Sequence, residues 1–161
     1  MNPNNLPIQK HETAGCVLYF KENLQIYTIL IFKSWSESNL GYFMPKGHIE
    51  PAETIEQTAV CESIEETGFQ NIKVQEFLTE ENISYPWEDG FWHEKKIYWF
   101  LAEVDKNSRK EVNLTETEVG IQQKVEIFQI DEAIEKLKFD NDKEVLKSAK
   151  ERIKAIYKNA K

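Results

Sequence analysis

The sequence predicts one layered α/β domain, and three observations carry that reading. A chain of 161 residues holds one sizeable core and is too short for two comfortable ones. Two apolar runs, within residues 26–32 and 97–102, have so little polar interruption that they suit strands covered on both faces. Segments with helical punctuation stand between and after them, and strands interleaved with helices imply a layered α/β architecture.

Residues 1–12 are rich in Asn, Pro and Gln and are expected to form a flexible tail, with the domain spanning 13–161. Residues 14–20 have the β-branched and aromatic content of a first strand, 21–24 turn the chain, and 25–33 form a central strand. Residues 34–41 read as a polar loop, and 45–53, with Pro, Gly and acidic residues, as another. Thr54 followed by Gln57 is a capping box, in which hydroxyl and amide side chain satisfy N–H groups at a helix start. Gly68 suits the left-handed position that ends a helix. Between them Val60 and Ile64 are placed to face a core, with Glu62, Glu65 and Glu66 on roughly the opposite side. Downstream, 72–80 and 97–104 read as strands, 105–114 as a charged loop, 125–130 as a short strand and 131–137 as a short helix. Asn141 with Glu144 is placed to cap a last helix, on which Val145, Leu146, Ala149, Ile153, Ile156 and Tyr157 recur near helical spacing.

With 40% apolar and 30% charged residues, the composition is that of a globular protein rather than a disordered or fibrous one. Asp and Glu outnumber Lys and Arg by 28 to 20, a net charge of -8, which disfavours an extended nucleic-acid surface. A small polyanionic substrate would need local cations. No apolar run approaches the roughly 20 residues of a membrane span, and the first residues lack the pattern of a signal peptide. A cytoplasmic protein without membrane partners is expected. Cys16 and Cys61 read as reduced thiols, and His11, His48 and His93 lack a zinc spacing.

The feature with chemical content is the acidic face of the 54–68 helix. Like charges four apart each cost roughly 0.2–0.5 kcal/mol on an exposed helix. Composition alone favours a solvated face. The other reading is a divalent cation, since Mg²⁺ prefers oxygen and is held by one or two carboxylates together with substrate phosphates.

Spacing shifts the balance. The segment from Gly47 to Phe69 resembles the Nudix box: a Gly, a Glu six residues on, and an Arg-Glu-aliphatic-X-Glu-Glu-X-Gly block ending in an apolar residue. Gly47, Glu53, Glu62, Glu65, Glu66 and Gly68 fall in register. The resemblance implies a Nudix-type α/β/α sandwich, a mixed β-sheet between helices. It also implies a hydrolase of phosphoanhydride bonds that uses Mg²⁺, with Mn²⁺ as a substitute. Glu62, Glu65 and Glu66 would be the catalytic and metal-binding residues, joined by a backbone carbonyl near Gly47, with Glu53 and Gly68 supporting the motif. Glu65 or Glu66 would serve as general base, or a later Glu such as Glu116 or Glu118. Two positions depart from the pattern: Cys61 stands where the family has Arg, and Ser63 where a larger aliphatic residue is usual. A thiol supplies neither five donors nor a fixed charge, so altered activity is expected, and a silent nucleotide-binding domain is the non-enzymatic alternative.

Residues 45–51 and 97–104 further resemble the asymmetrical bis(5′-nucleosyl)-tetraphosphatases. That likeness implies hydrolysis of diadenosine tetraphosphate to ATP and AMP, against the alternatives of a nucleotide sugar, a nucleoside triphosphate or a capped RNA end. Lys46 and His48 would then oppose phosphate oxygens, and Tyr98 would stack on adenine or else belong to the core. Lys95 and Lys96 would raise the local potential or remain a solvated pair. The aromatic stretch from Tyr85 to Trp92 is either a lid over a base or a buried hairpin.

Overall fold

The computed structural model describes residues 2–112 and 122–159. Among these residues, seven strands form one mixed sheet: β1 (Ile8–Glu22), β2 (Gln25–Ser34), β3 (Leu40–Phe43), β4 (Lys46–His48), β5 (Ile72–Pro86), β6 (Trp92–Val104) and β7 (Gln122–Gln129). Three helices cover it: α1 (Ile55–Thr67), α2 (Ile130–Lys136) and α3 (Asp140–Asn159). Alternation along each strand sorts the side chains into two layers. Ala14, Cys16, Leu18, Phe100 and Ala102 pack with Ala59 of α1. Val17, Tyr19, Ile97, Trp99 and Leu101 pack on the other face with Ile130 of α2 and Leu146, Ala149 and Ile153 of α3. This is the expected α/β/α sandwich.

β1 pairs parallel with β6 along one edge, while its other edge is shared by β4 at residues 13–15 and β2 at residues 19–22. β2 leaves β1 and continues between β3 and β7. Only Met44 and Pro45 separate β3, which lies on β2, from β4, which lies on β1, so the chain crosses the fork where β1 and β2 part. The crossing requires Gly15, because a Cβ there would collide with the Pro45 carbonyl and the Trp99 ring.

The strands are longer than expected. Residues 8–12, placed by composition in a tail, pair in register with residues 92–96. β5 and β6 extend six residues and five residues beyond the predicted limits, as a hairpin pairing Pro86 with Trp92. These extensions are held by backbone ladders rather than by a run of apolar side chains, so hydrophobic patterning does not reveal them. The β1–β2 turn places Asn23 at φ 52 and Leu24 at φ 67, the two left-handed residues of a tight hairpin.

Helix α1 starts and ends as its sequence dictates. Thr54 accepts from the Gln57 amide while the Gln57 side chain accepts from the Thr54 amide, and Gly68 caps the end at φ 81. Its buried face differs from the expected one: Ala59, Ser63 and Thr67 are buried, whereas Val60 and Ile64 are only partly covered. Small residues let the helix lie close to the sheet, and the Ser63 and Thr67 hydroxyls donate to Ala59 O and Ser63 O, at 2.7 and 2.6 Å. Ser63, where the family pattern has a larger aliphatic residue, is fully buried in this contact. The α3 cap also differs, since the helix begins at Asp140 and Asn141 lies within its first turn.

Candidate active site

Strand β4 and helix α1 bring the box residues together. The Glu62 carboxyl lies against the Cα of Gly47, and a Cβ at 47 would occupy the space of that carboxyl. Glycine is needed there for close approach rather than for backbone freedom. Burial, then Glu65, Glu66, Glu53 and Glu50, push the Glu62 pKa up to about 7. Glu66 is fixed at both oxygens: Oε2 accepts from Lys33 Nζ at 2.8 Å, and Oε1 from the Lys46 amide at 3.0 Å. Glu65 is exposed and makes no hydrogen bond among the described residues. Glu53 accepts from Thr58 Oγ1 at 3.1 Å, bracing the loop to the first turn of α1.

The structure supplies a cation that the box lacks. Lys33, at the end of β2, reaches the carboxylate face from the sheet and pairs with Glu66 across 33 positions of sequence. No local pattern marks it, because its partner is set by the fork between β1 and β2. Cys61 itself is exposed beside Glu53; the burial it has, then Glu53, Glu65 and Glu62, push its thiol pKa up. A thiol so disfavoured as thiolate is a poor nucleophile. Cys16 is buried and pushed up to about 12.

Lys33, Lys46, Glu62, Glu65 and Glu66 line a depression of about 480 Å³, to which Glu111 and Gln123 also contribute. Through Lys33, Lys46 and Glu66 it opens into a larger cavity of about 720 Å³ walled by Trp35, Phe43, Tyr85, Trp87 and Phe139. Trp35, Trp87 and Phe139 are 44%, 62% and 53% exposed, so their rings are free to meet a flat ligand. The aromatic stretch is a hairpin pairing β5 with β6, but it is not buried: residues 86–91 are exposed, while Tyr85 and Trp87 line the cavity. Glu81 and Asp142 also line this cavity. Burial and the Glu81 charge push Asp142 up to about 6, and the Trp99 indole donates to Glu81 at 2.6 Å.

Of the residues singled out in the sequence, Lys46 lies between the two cavities. Tyr98 does not line either: it packs with the α1-side cluster, because alternation on β6 turns Ile97 and Trp99 to the cavity face and Tyr98 away. His48 is exposed outside both cavities, its ring 5.8 Å from that of His11. Glu116 and Glu118 lie outside the described residues. Trp35, Phe139 and the Glu81–Asp142 pair escaped sequence reasoning because three separate segments supply them.

The donor set fits a hard divalent cation. Glu62 and Glu66 sit on one helix face beside Gly47, and mutual repulsion raises the proton affinity of Glu62, as a cation in that place would reverse. Among the described residues no three acidic or imidazole groups converge as a closed cage. A divalent cation there would have to complete its coordination with water and substrate phosphates.

A family model, the NUDIX domain, matches residues 9–149. With that match over most of its length, on the fold and box just described, the chain belongs to the NUDIX family, and it is a hydrolase of that family. Among solved structures it is similar to a C. elegans Ap4A hydrolase binary complex at 20% identity and TM-score 0.70, covering 90% of this chain and 98% of that one. It is also similar to a NUDIX hydrolase from Nitrosomonas europaea at 17% identity and TM-score 0.61, covering 87% and 88%. The NUDIX domain of Shewanella oneidensis NrtR complexed with ADP ribose matches at 19% identity and TM-score 0.63, covering 90% and 89%. No curated protein matches the sequence.

Proposed function

We propose that this chain hydrolyses a phosphoanhydride bond in a nucleoside polyphosphate with Mg²⁺, for which Mn²⁺ can substitute. The preferred substrate is diadenosine tetraphosphate, cut to ATP and AMP. The observation that carries the reading is the junction at Glu66, Lys33 and Lys46, where a carboxylate depression meets an aromatic cavity of the size that holds a nucleoside. The likeness to the C. elegans Ap4A hydrolase supports the choice of substrate.

A divalent cation at Glu62 and Glu66, when bound, supplies Lewis acidity toward the phosphate oxygens. Lys33 and the Lys46 amide hold Glu66 in one orientation, so that the carboxylate need not reorganise as charge develops. Glu65 lines the same depression with both oxygens uncommitted among the described residues, and takes the proton from the attacking water. Lys46 opposes the phosphate charge, and the rings of Trp35 and Trp87 stack on the base. The protein works in the cytoplasm on small nucleotides; among the described residues no helix is long and apolar enough to cross a membrane.

Time-resolved product analysis with Mg²⁺ tests the proposal. ATP and AMP in equal amounts are expected, and Glu66→Gln should abolish them. Two ADP, or turnover of ADP-ribose but not of the tetraphosphate, would overturn the substrate assignment.

A further inference from the structure

His93 is a titratable side chain buried near the start of β6, and nothing in the proposed reaction uses it. Strand alternation turns His93 and Lys95, with His11 of β1, to the cavity face of the sheet and Lys96 to the other. Both faces of the His93 ring are covered by the neighbouring strands. Tyr85, its partner in register on β5, stacks on it at 5.4 Å between ring centroids and 7° between planes. His11 stacks from the β1 side at 5.0 Å and 9°. Phe91 meets the ring edge on, at 6.5 Å and 68°.

Both ring nitrogens are engaged as well. Nε2 donates to Asp89, which as a carboxylate only accepts, at 3.1 Å to Oδ1 and 2.9 Å to Oδ2. In the neutral ring Nδ1 is then the acceptor, and it meets His11 Nε2 at 2.7 Å. Burial, then His93, His48 and Lys95, hold the His11 pKa below its ordinary value, with only Asp89 acting the other way, so His11 stays neutral at pH 7 and donates its one ring proton from Nε2. Asp89 belongs to the turn between β5 and β6, whose residues 86–91 are all exposed. Its other hydrogen bond is local, from the Phe91 amide to Oδ1 at 3.0 Å. Among the described residues, the contact of Asp89 with His93 is the only side-chain hydrogen bonding that ties this turn to a strand.

We propose that His93, clamped between Asp89 and His11, is a positioning residue for the aromatic wall of the cavity: it fixes Tyr85 by stacking and the turn by its bond to Asp89, and so sets where Trp87 stands. Tyr85 and Trp87 both line the cavity, their rings edge to face at 6.3 Å and 81°, so a displacement of either moves the surface a base would meet. The role rests on the reading of the cavity as a nucleoside site. A wall held in place before the base arrives spares the cost of ordering an exposed turn on binding. The effect therefore falls on substrate affinity and leaves the chemistry at the carboxylate helix as it was.

The test reads the wall directly, by fluorine NMR of the full chain with its four tryptophans replaced by 5-fluorotryptophan, the Trp87 resonance being identified from Trp87→Phe. Asp89→Ala, an exposed substitution, and His93→Leu should both move or broaden the Trp87 resonance and leave that of Trp35 in place, once melting curves verify that each variant folds. Asp89→Asn should keep the wild-type spectrum, because its Oδ1 still accepts from His93 Nε2 and the Phe91 amide. Glu88→Gln, which removes the neighbouring exposed carboxylate of the same turn, should change nothing. With Mg²⁺ and diadenosine tetraphosphate, Asp89→Ala and His93→Leu should raise KM about three- to tenfold, part of what a stacked base contributes, with kcat within about twofold. Asp89→Asn should restore the wild-type KM. A Trp87 resonance unmoved by Asp89→Ala would overturn the positioning role, as would an unchanged KM where the resonance moves, or an Asp89→Asn variant as impaired as Asp89→Ala. The resonance needs neither ligand nor turnover, so a wild type that hydrolyses nothing counts against the proposed activity, while the clamp on the wall stands or falls on the spectrum.

Discussion

Glu62→Gln should stabilise the metal-free protein while destroying its response to metal, and the two effects separate by pH. The Glu62 carboxyl is raised from 4.5 to about 7 by burial and by Glu65, Glu66, Glu53 and Glu50. Its folded form therefore holds a proton that the unfolded chain releases. The sign follows: the penalty is absent below pH about 4.5, grows as pH rises, and is complete above about 7. At 1.36 kcal/mol per pH unit the full displacement is worth roughly 3 kcal/mol, which solvent around the half-buried carboxyl reduces to about 1–2 kcal/mol. Glutamine keeps the volume and never ionises. For a domain of this size each kcal/mol moves Tm by about 2–4 °C. In EDTA at pH 8 the variant should thus melt about 3–6 °C above the wild type, with the difference vanishing near pH 4.5. Added Mg²⁺ at pH 8 should raise the wild type and leave the variant where it is. A variant that melts at or below the wild type in EDTA at pH 8 would refute the account of a strained carboxylate cluster.

Three further outcomes follow from the geometry. Lys33→Met removes the only side-chain cation on Glu66 among the described residues and should lower kcat/KM about tenfold or more, with a weaker apparent affinity for Mg²⁺ in activity titrations. Trp87→Ala should raise KM for a nucleoside substrate by roughly 1–3 kcal/mol of lost stacking, whereas Tyr98→Phe, on the far face of β6, should leave KM unchanged in the same assay. Cys61→Ser should keep kcat within about twofold, and iodoacetamide at neutral pH should modify Cys61 slowly, because its neighbours disfavour the thiolate.

Much of the fold and part of the site were legible because they rest on local rules. The Thr54–Gln57 capping box and Gly68 fix both ends of α1 from within a few residues. The apolar runs of β2 and β6 identify strands buried on both faces, and the spacing of Val145, Leu146, Ala149 and Ile153 fixes the buried face of α3. The register of Gly47 with Glu62 was also readable, and the structure gives its reason: the carboxyl occupies the place of a side chain at 47. Less was readable about α1 itself, whose buried face is Ala59, Ser63 and Thr67 rather than Val60 and Ile64, since close packing selects small size over hydrophobicity.

By itself the sequence determined the α/β class, the carboxylate helix and the absence of an arginine at position 61. Only the tertiary structure decided what answers that absence, which residues wall the cavity, and where the histidines and lysines gather. Lys33 reaches Glu66 because β1 and β2 diverge; Trp35, Trp87 and Phe139 meet from three distant segments; His11, His48 and His93 come together through strand register. Local propensity acts over a few residues and leaves a trace in the sequence. Long-range pairing is carried by backbone hydrogen bonds that every residue but proline can make, and it leaves almost none.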